Sequence, residues 1–158
     1  IRTVIGDITV EGTRSAVIET ALEICGRLDI LVNNVDMATS GQISETPVSA
    51  FQETVNVNLT SVIALTQLAI PHLIASKGSI VNVSSMASLK PCIHNSYYCI
   101  TKAGTDMFTK ALALELAPKG VRVNSVNPAA IETPMLFKVG MREEMQRQVR
   151  SGVLASNP

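Results

Sequence analysis

Short runs rich in Val, Ile and Leu alternate with longer stretches of helical periodicity along this sequence. No other feature restricts the fold as strongly. Parallel strands need a crossover of a dozen or more residues, usually a helix, so the alternation predicts a parallel sheet with helices on its faces. Arg2–Ile8 reads as a short strand closed by Gly6-Asp7-Ile8-Thr9. Thr13 then caps a helix to about Cys25, with Val17, Ile18, Ala21, Leu22 and Cys25 on one face and Gly26 as its stop. Leu28–Val32 is the next strand, ended by Asn33-Asn34 and followed by a polar loop from Asp36 to Glu45. Thr46-Pro47 opens a helix that reaches about Ala75, with a kink near Asn58. Lys77-Gly78 turns the chain into a strand at Ser79–Ser84. A loop to Ser96 leads into a helix from about Tyr97 to Ala117, which Pro118-Lys119-Gly120 stops. Val121–Val126 is a fourth strand, closed by Asn127-Pro128, and Arg142–Arg150 is a polar helical stretch. The strands are continuous apolar runs, as expected when both faces of a sheet are covered.

Charge narrows the function classes. The 13 Lys and Arg balance the 13 Asp and Glu, so no basic excess exists to neutralise nucleic-acid phosphates. At 46% apolar and 16% charged residues the chain is too hydrophobic for long disorder. Cys25, Cys92 and Cys99 are odd in number and form no CxxC pair, which argues against a disulfide framework and for a reduced, cytoplasmic compartment. His72 and His94 have no partners at ligand spacing, so no metal site is assigned. Asn58, Thr66, Gln67, Pro71 and His72 break the longest apolar segment, and no membrane span is expected.

In open parallel sheets the ligand lies outside the carboxyl ends of the strands. That rule gathers Asp7, then Asn33 and Asn34, then Ser84 and Ser85, then Asn127 to Thr133, at one rim. Tyr98 and Lys102 are four apart and share a helix face. An ammonium beside a phenol favours the phenolate, so Lys102 is expected to lower the Tyr98 pKa and fit Tyr98 for proton transfer at a carbonyl or alcohol oxygen. Ser85, 13 residues before Tyr98, is placed to hydrogen-bond the same oxygen. Taken singly, such a Tyr and Lys are an ordinary surface pair, such a Ser a strand-end cap, and Asn58 a helix kink or a satisfied core amide.

Taken together they say more. Gly6-Asp7-Ile8-Thr9, Leu28 through Asn34, Asn56-Val57-Asn58-Leu59, Gly78 through Ser85, Tyr98-x-x-x-Lys102-Ala103-Gly104 and Val121 through Pro128 follow one another in this order. The series resembles the short-chain dehydrogenase/reductase family, in its single-domain Tyr-x-x-x-Lys branch. The resemblance implies a Rossmann-like, doubly wound parallel sheet in three α/β/α layers. It implies NAD or NADP as cofactor and a carbonyl/secondary-alcohol oxidoreductase. On it, Tyr98 is the general acid/base, Lys102 lowers the Tyr98 pKa and holds the nicotinamide ribose hydroxyls, and Ser85 orients the substrate oxygen. Asn58 interrupts the helix and holds a water that relays protons from Lys102. Asp7 and Ile8 contact the adenine, Asn34 lies along the cofactor, and Ile131 and Thr133 hold the nicotinamide carboxamide.

The sequence also departs from the family. Its Gly-rich phosphate turn does not precede Asp7, so residues 1–158 are expected to be a single partial domain, incomplete at both ends. NAD and NADP are not distinguished by what remains, and the isolated chain is expected to be inactive. Val35-Asp36 stands where the family has Ala-Gly, and Ala129 where it has Gly. A carboxylate at Asp36 is expected to be unfavourable near cofactor phosphates. These departures keep open a second hypothesis, a non-catalytic descendant acting as a binding or assembly module. Leu89, Ile93, Met135, Leu136 and Phe137 suggest an apolar carbonyl substrate such as a fatty-acyl, steroid or xenobiotic compound, or else cover the core or form a subunit contact. The family resemblance further implies a homodimer or homotetramer, with Met107, Ala111, Leu112 and Leu114 as either its contact or intrachain core.

Overall fold

A computed structural model describes residues 1–129 and residue 131. Three parallel strands form one sheet in the order β1-β2-β3: β1 is Ile30–Asn33, β2 Ser79–Val83 and β3 Arg122–Val126. The register runs Leu31 to Ile80 to Val123 across the sheet. Helix α1 (Glu11–Cys25) precedes β1, and Gly26 ends it in the left-handed conformation at φ 69°. Between β1 and β2 lie α2 (Val48–Val55), a π-helical turn (Asn56–Thr60) and α3 (Ser61–Ser76). Helix α4 (Ser96–Leu116) joins β2 to β3.

Handedness decides where the helices go. Both crossovers step in the same direction along the sheet, and right-handed connections then put α3 and α4 on the same face. Helix α1 packs beside α3. The core between these helices and the sheet is Ile18, Leu31, Leu65, Ala69, Leu73, Ile80, Leu112, Leu116, Val121 and Val123. Burial alternates along β1: Leu31 and Asn33 point to the helices, whereas Ile30 and Val32 are 61% and 55% exposed on the other face. The described residues therefore supply the sheet and one helical layer of the α/β fold.

Four expectations need correction. Arg2–Ile8 forms no strand. It has the β-branched composition but no neighbouring strand among the described residues, and a strand exists only through its ladder. The helix that follows starts at Glu11 with Val10 as an uncapped N-cap, so Thr13 is inside its first turn. Leu112 belongs to the core, at 5% exposure, and is not part of an outer contact, while Met107, Ala111 and Leu114 do face outward. The fourth concerns the long helix, whose apolar stretch was expected to fall short of membrane-spanning length. The expected kink at Asn58 takes the form of a π turn, through which the helix continues as expected. Val48–Ser76 thereby becomes one 29-residue helix, long and apolar enough by length and composition to cross a membrane. Its Leu65, Ala69 and Leu73 line the core against the sheet, which is the pattern of a core helix.

The turn into β2 shows why its sequence is Lys77-Gly78. Lys77, not the glycine, takes the left-handed conformation (φ 52°). Gly78 is required for a different reason: any Cβ there would collide with the Asp29 carbonyl oxygen.

Candidate active site

Above the carboxyl ends of the strands the polar residues sort by alternation. Asn33 is buried and points toward the helices, where its Nδ2 donates to Thr66 Oγ1 (3.1 Å) and Asn82 Oδ1 (2.8 Å). Asn82 in turn donates to Thr109 Oγ1 at 2.8 Å. Asn34, the next residue, is exposed. Ser84 and Ser85 divide in the same way. Ser84 is buried and donates to the Lys102 carbonyl at 3.2 Å. Ser85 is half-buried, caps a short 3₁₀ turn (Met86–Ser88) by accepting the Ala87 N–H at 3.1 Å, and lies on the Tyr98 side.

Tyr97 and Tyr98 also part company. Tyr97 is buried, stacks on Phe51 at 5.0 Å and donates its hydroxyl to the Thr46 carbonyl. Tyr98 reaches the rim. Its hydroxyl donates to Asp36 Oδ2 at 2.9 Å. Lys102, 2% exposed, donates to the Val83 carbonyl at 3.0 Å and faces Asp36 Oδ1 at 3.1 Å. Its ammonium lies 5.4 Å from the centre of the Tyr98 ring. A buried ammonium needs a counter-charge, and Asp36 supplies it.

This corrects two expectations. Asp36 sits on the Tyr98–Lys102 pair itself. And the Tyr98 phenol is pushed above its ordinary range, not below it. Burial is the main cause and the Asp36 carboxylate the next, with Ser85 opposing them. The Lys102 charge is spent on Asp36. Burial likewise pushes the Asp36 carboxyl up, against the Lys102 charge and the hydrogen bond from Tyr98.

Asn58 fixes the loop that carries Asp36. Its Oδ1 accepts the Met37 N–H at 2.8 Å, and its Nδ2 donates to the Met37 carbonyl (2.7 Å) and to Thr101 Oγ1 (3.2 Å). Thr101 in turn donates to the Tyr98 carbonyl at 2.8 Å. The structure therefore brings Asn58, Ser85, Tyr98 and Lys102 into one cluster with Asp36. Asp7 and Ile8 stay at the turn before α1. There Asp7 is exposed and accepts both the N–H and the hydroxyl of Thr9 at 2.8 Å, which hold its carboxyl below the usual range. Ile131 is 59% exposed. Thr133, Met135, Leu136, Phe137 and Arg142–Arg150 lie outside the described residues.

One supporting residue escaped the sequence reading. Asp106, buried on α4, accepts from the Ser88 hydroxyl (2.5 Å) and the Asn127 amide (2.9 Å), and Asn127 also donates to the Ser85 carbonyl (3.2 Å). It ties the Ser85 turn to α4 and to the end of β3. The signal was present in the unusual buried polar face of α4, where Thr101, Thr105 and Thr109 recur every fourth residue.

A family model described as short chain dehydrogenase matches residues 1–144. L-xylulose reductase of Mesocricetus auratus is 44% identical over 119 residues, 74% of this chain and 49% of that protein. Trans-4-hydroxycyclohexanecarboxylate dehydrogenase of Sinomonas cyclohexanicum is 36% identical over 82% of this chain and 50% of its own length. The chain thus spans about half the length of the curated relatives it matches. Among solved structures, a short-chain dehydrogenase/reductase of unknown function from Caenorhabditis elegans, determined with cofactor, superposes with a TM-score of 0.82. It is 36% identical over 92% of this chain and 55% of that one. The 3-ketoacyl-(acyl-carrier-protein) reductase from Brucella melitensis, complexed with NADH, gives 0.79 at 35% identity over 84% of this chain and 57% of its own.

Proposed function

Because this chain belongs to the short-chain dehydrogenase family, we propose that the protein containing it is an NAD(P)-dependent oxidoreductase that interconverts a carbonyl and a secondary alcohol. The observation that carries the proposal is the rim cluster in which the Tyr98 hydroxyl and the buried Lys102 ammonium meet the same carboxylate. Tyr98 exchanges a proton with the substrate oxygen, and Ser85 orients that oxygen. Lys102, fixed on the Val83 carbonyl, presents its remaining N–H donors toward the rim. Asn58 holds the adjoining loop and, on this proposal, the water that passes protons from Lys102 outward.

The residues present fit the hydroxyl-bearing part of a nicotinamide cofactor. A buried ammonium beside a phenol is a donor set for a sugar diol. Tyr98 and Lys102 would hold the ribose, Asn34 would lie along the cofactor, Ile131 and Thr133 would border the carboxamide, and Asp7 and Ile8 the adenine. When bound, the cofactor supplies or accepts the hydride. Leu89 and Ile93, 73% and 82% exposed in the loop before α4, fit an apolar small-molecule substrate. Met107 and Leu114, 64% and 80% exposed on the outer side of α4, fit a contact between copies in a homodimer or homotetramer. The three free cysteines fit a reducing, cytoplasmic setting.

The decisive experiment is Tyr98→Phe in the full-length protein. Carbonyl reduction is expected to fall by a factor of about 10²–10⁴, the usual worth of a positioned proton donor, while cofactor affinity measured by calorimetry changes little. Undiminished turnover would refute the role of Tyr98.

A further inference from the structure

We propose that Asp36 is a positioning residue of this site, an internal carboxylate ligand that holds the Tyr98 hydroxyl and the Lys102 ammonium and keeps Tyr98 in its protonated form. The inference deepens the oxidoreductase reading and rests on it for its consequence, but not for its geometry. The carboxylate contacts both groups, one through each oxygen, at 2.9 and 3.1 Å. The contact is not an accident of a loose loop. The neighbouring Met37 is held at both its N–H and its carbonyl by the buried amide of Asn58. Asp36 is itself largely enclosed, with its side chain 18% exposed.

The chemistry follows from charge. Ionising Tyr98 would put a phenolate against a carboxylate, and like charges at hydrogen-bond distance oppose each other's ionisation. It would also take away the proton that bridges them. The titratable groups facing Tyr98 are Asp36 from the loop after β1, Lys102 from α4 and Cys92 from the loop before α4. Lys102 alone would favour the phenolate, and it is neutralised by Asp36. Carbonyl reduction needs Tyr98 as the neutral phenol: its O–H breaks as the alcohol O–H forms, and a phenolate is left. Alcohol oxidation needs the phenolate first. A carboxylate in this place therefore defers alcohol oxidation, which starts from the phenolate, to higher pH.

The test reads Tyr98 directly, by NMR of the full-length protein carrying isotope-labelled tyrosine, with the Tyr98 signal assigned as the one lost in Tyr98→Phe. In the unsubstituted protein Tyr98 is expected to titrate above the ordinary phenol value of about 10. In Asp36→Asn and in Asp36→Gly the titration is expected to fall by about 1–3 pH units. The rising limb of alcohol oxidation falls with it, while Asp36→Glu keeps the high value. Two variants guard against one failing to fold, and the first measurement needs neither. A Tyr98 titrating at or below the ordinary value in the unsubstituted protein would overturn the proposal. So would an unmoved titration in the folded charge-removing variants. A moved titration in a protein without hydride-transfer activity would support the role of Asp36 and count against the oxidoreductase reading alone.

Discussion

The two faces of the three-stranded sheet are built from the same kind of residue and end in opposite conditions. On the helix side, Ile80 is fully buried and Leu31 and Val123 nearly so. On the other side, Ile30, Val32 and Val126 are 61%, 55% and 48% exposed. Strand composition separates the faces poorly: Ile30, Val32, Val81, Val83 and Val126 are apolar on the other face beside Ser79, Arg122 and Asn124, and Asn33, Asn82 and Ser125 are polar on the covered one. The covered face, moreover, is where the polar side chains are buried. Asn33, Asn82, Thr66 and Thr109 form a chain of hydrogen bonds beneath the rim. Apolar character thus marks a residue's capacity for burial. Its partner decides whether the burial occurs, and amides are buried where hydroxyls stand ready to receive them.

Substitutions on the two faces probe that contrast. Ile80→Ala, in the centre of the covered face, is expected to cost about 2–5 kcal/mol in urea denaturation followed by circular dichroism. Asn82→Ala removes one of the two acceptors of the Asn33 amide and the donor to the Thr109 hydroxyl, and is expected to cost about 1–3 kcal/mol by the same measurement. A loss below that range would mean water enters the chain of amides. Val32→Thr on the other face is expected to stay within about 0.5 kcal/mol in this 158-residue chain. A cost approaching that of Ile80→Ala, in this chain or in any longer protein that contains it, would sharpen the contrast differently. It would show that residues beyond those described close the second face.

Much of the fold was legible because its punctuation is strong. Gly26, Gly78 and Gly120 sit where elements stop, and β1, β2 and β3 all fall within two residues of their expected positions. Arg2–Ile8 was misread because β-branched composition is local, whereas a strand is a relation between two segments. The site was legible as a set of residues, since helical spacing alone places Tyr98 and Lys102 on one face. Their electrostatics were not. Asp36 stood out in the sequence as a departure from Ala-Gly, but its destination depended on the path of a loop. Spacing cannot report that path, and burial, with the carboxylate next, turned the Tyr98 titration upward where spacing to Lys102 pointed down. The π turn was legible only as a kink, because a change of hydrogen-bond pattern leaves no mark on composition.

The Asn58 amide has one more consequence. It accepts from and donates to the same residue, Met37, and both contacts are to the peptide group. In effect a single side chain acts as an adjacent strand would, continuing the sheet's manner of reading backbone for one residue beyond the end of β1. Such a clamp is indifferent to which side chain stands at position 37, provided the residue keeps its N–H. The chain is therefore free to vary the surface of this loop without surrendering the peptide geometry that carries Asp36 to Tyr98.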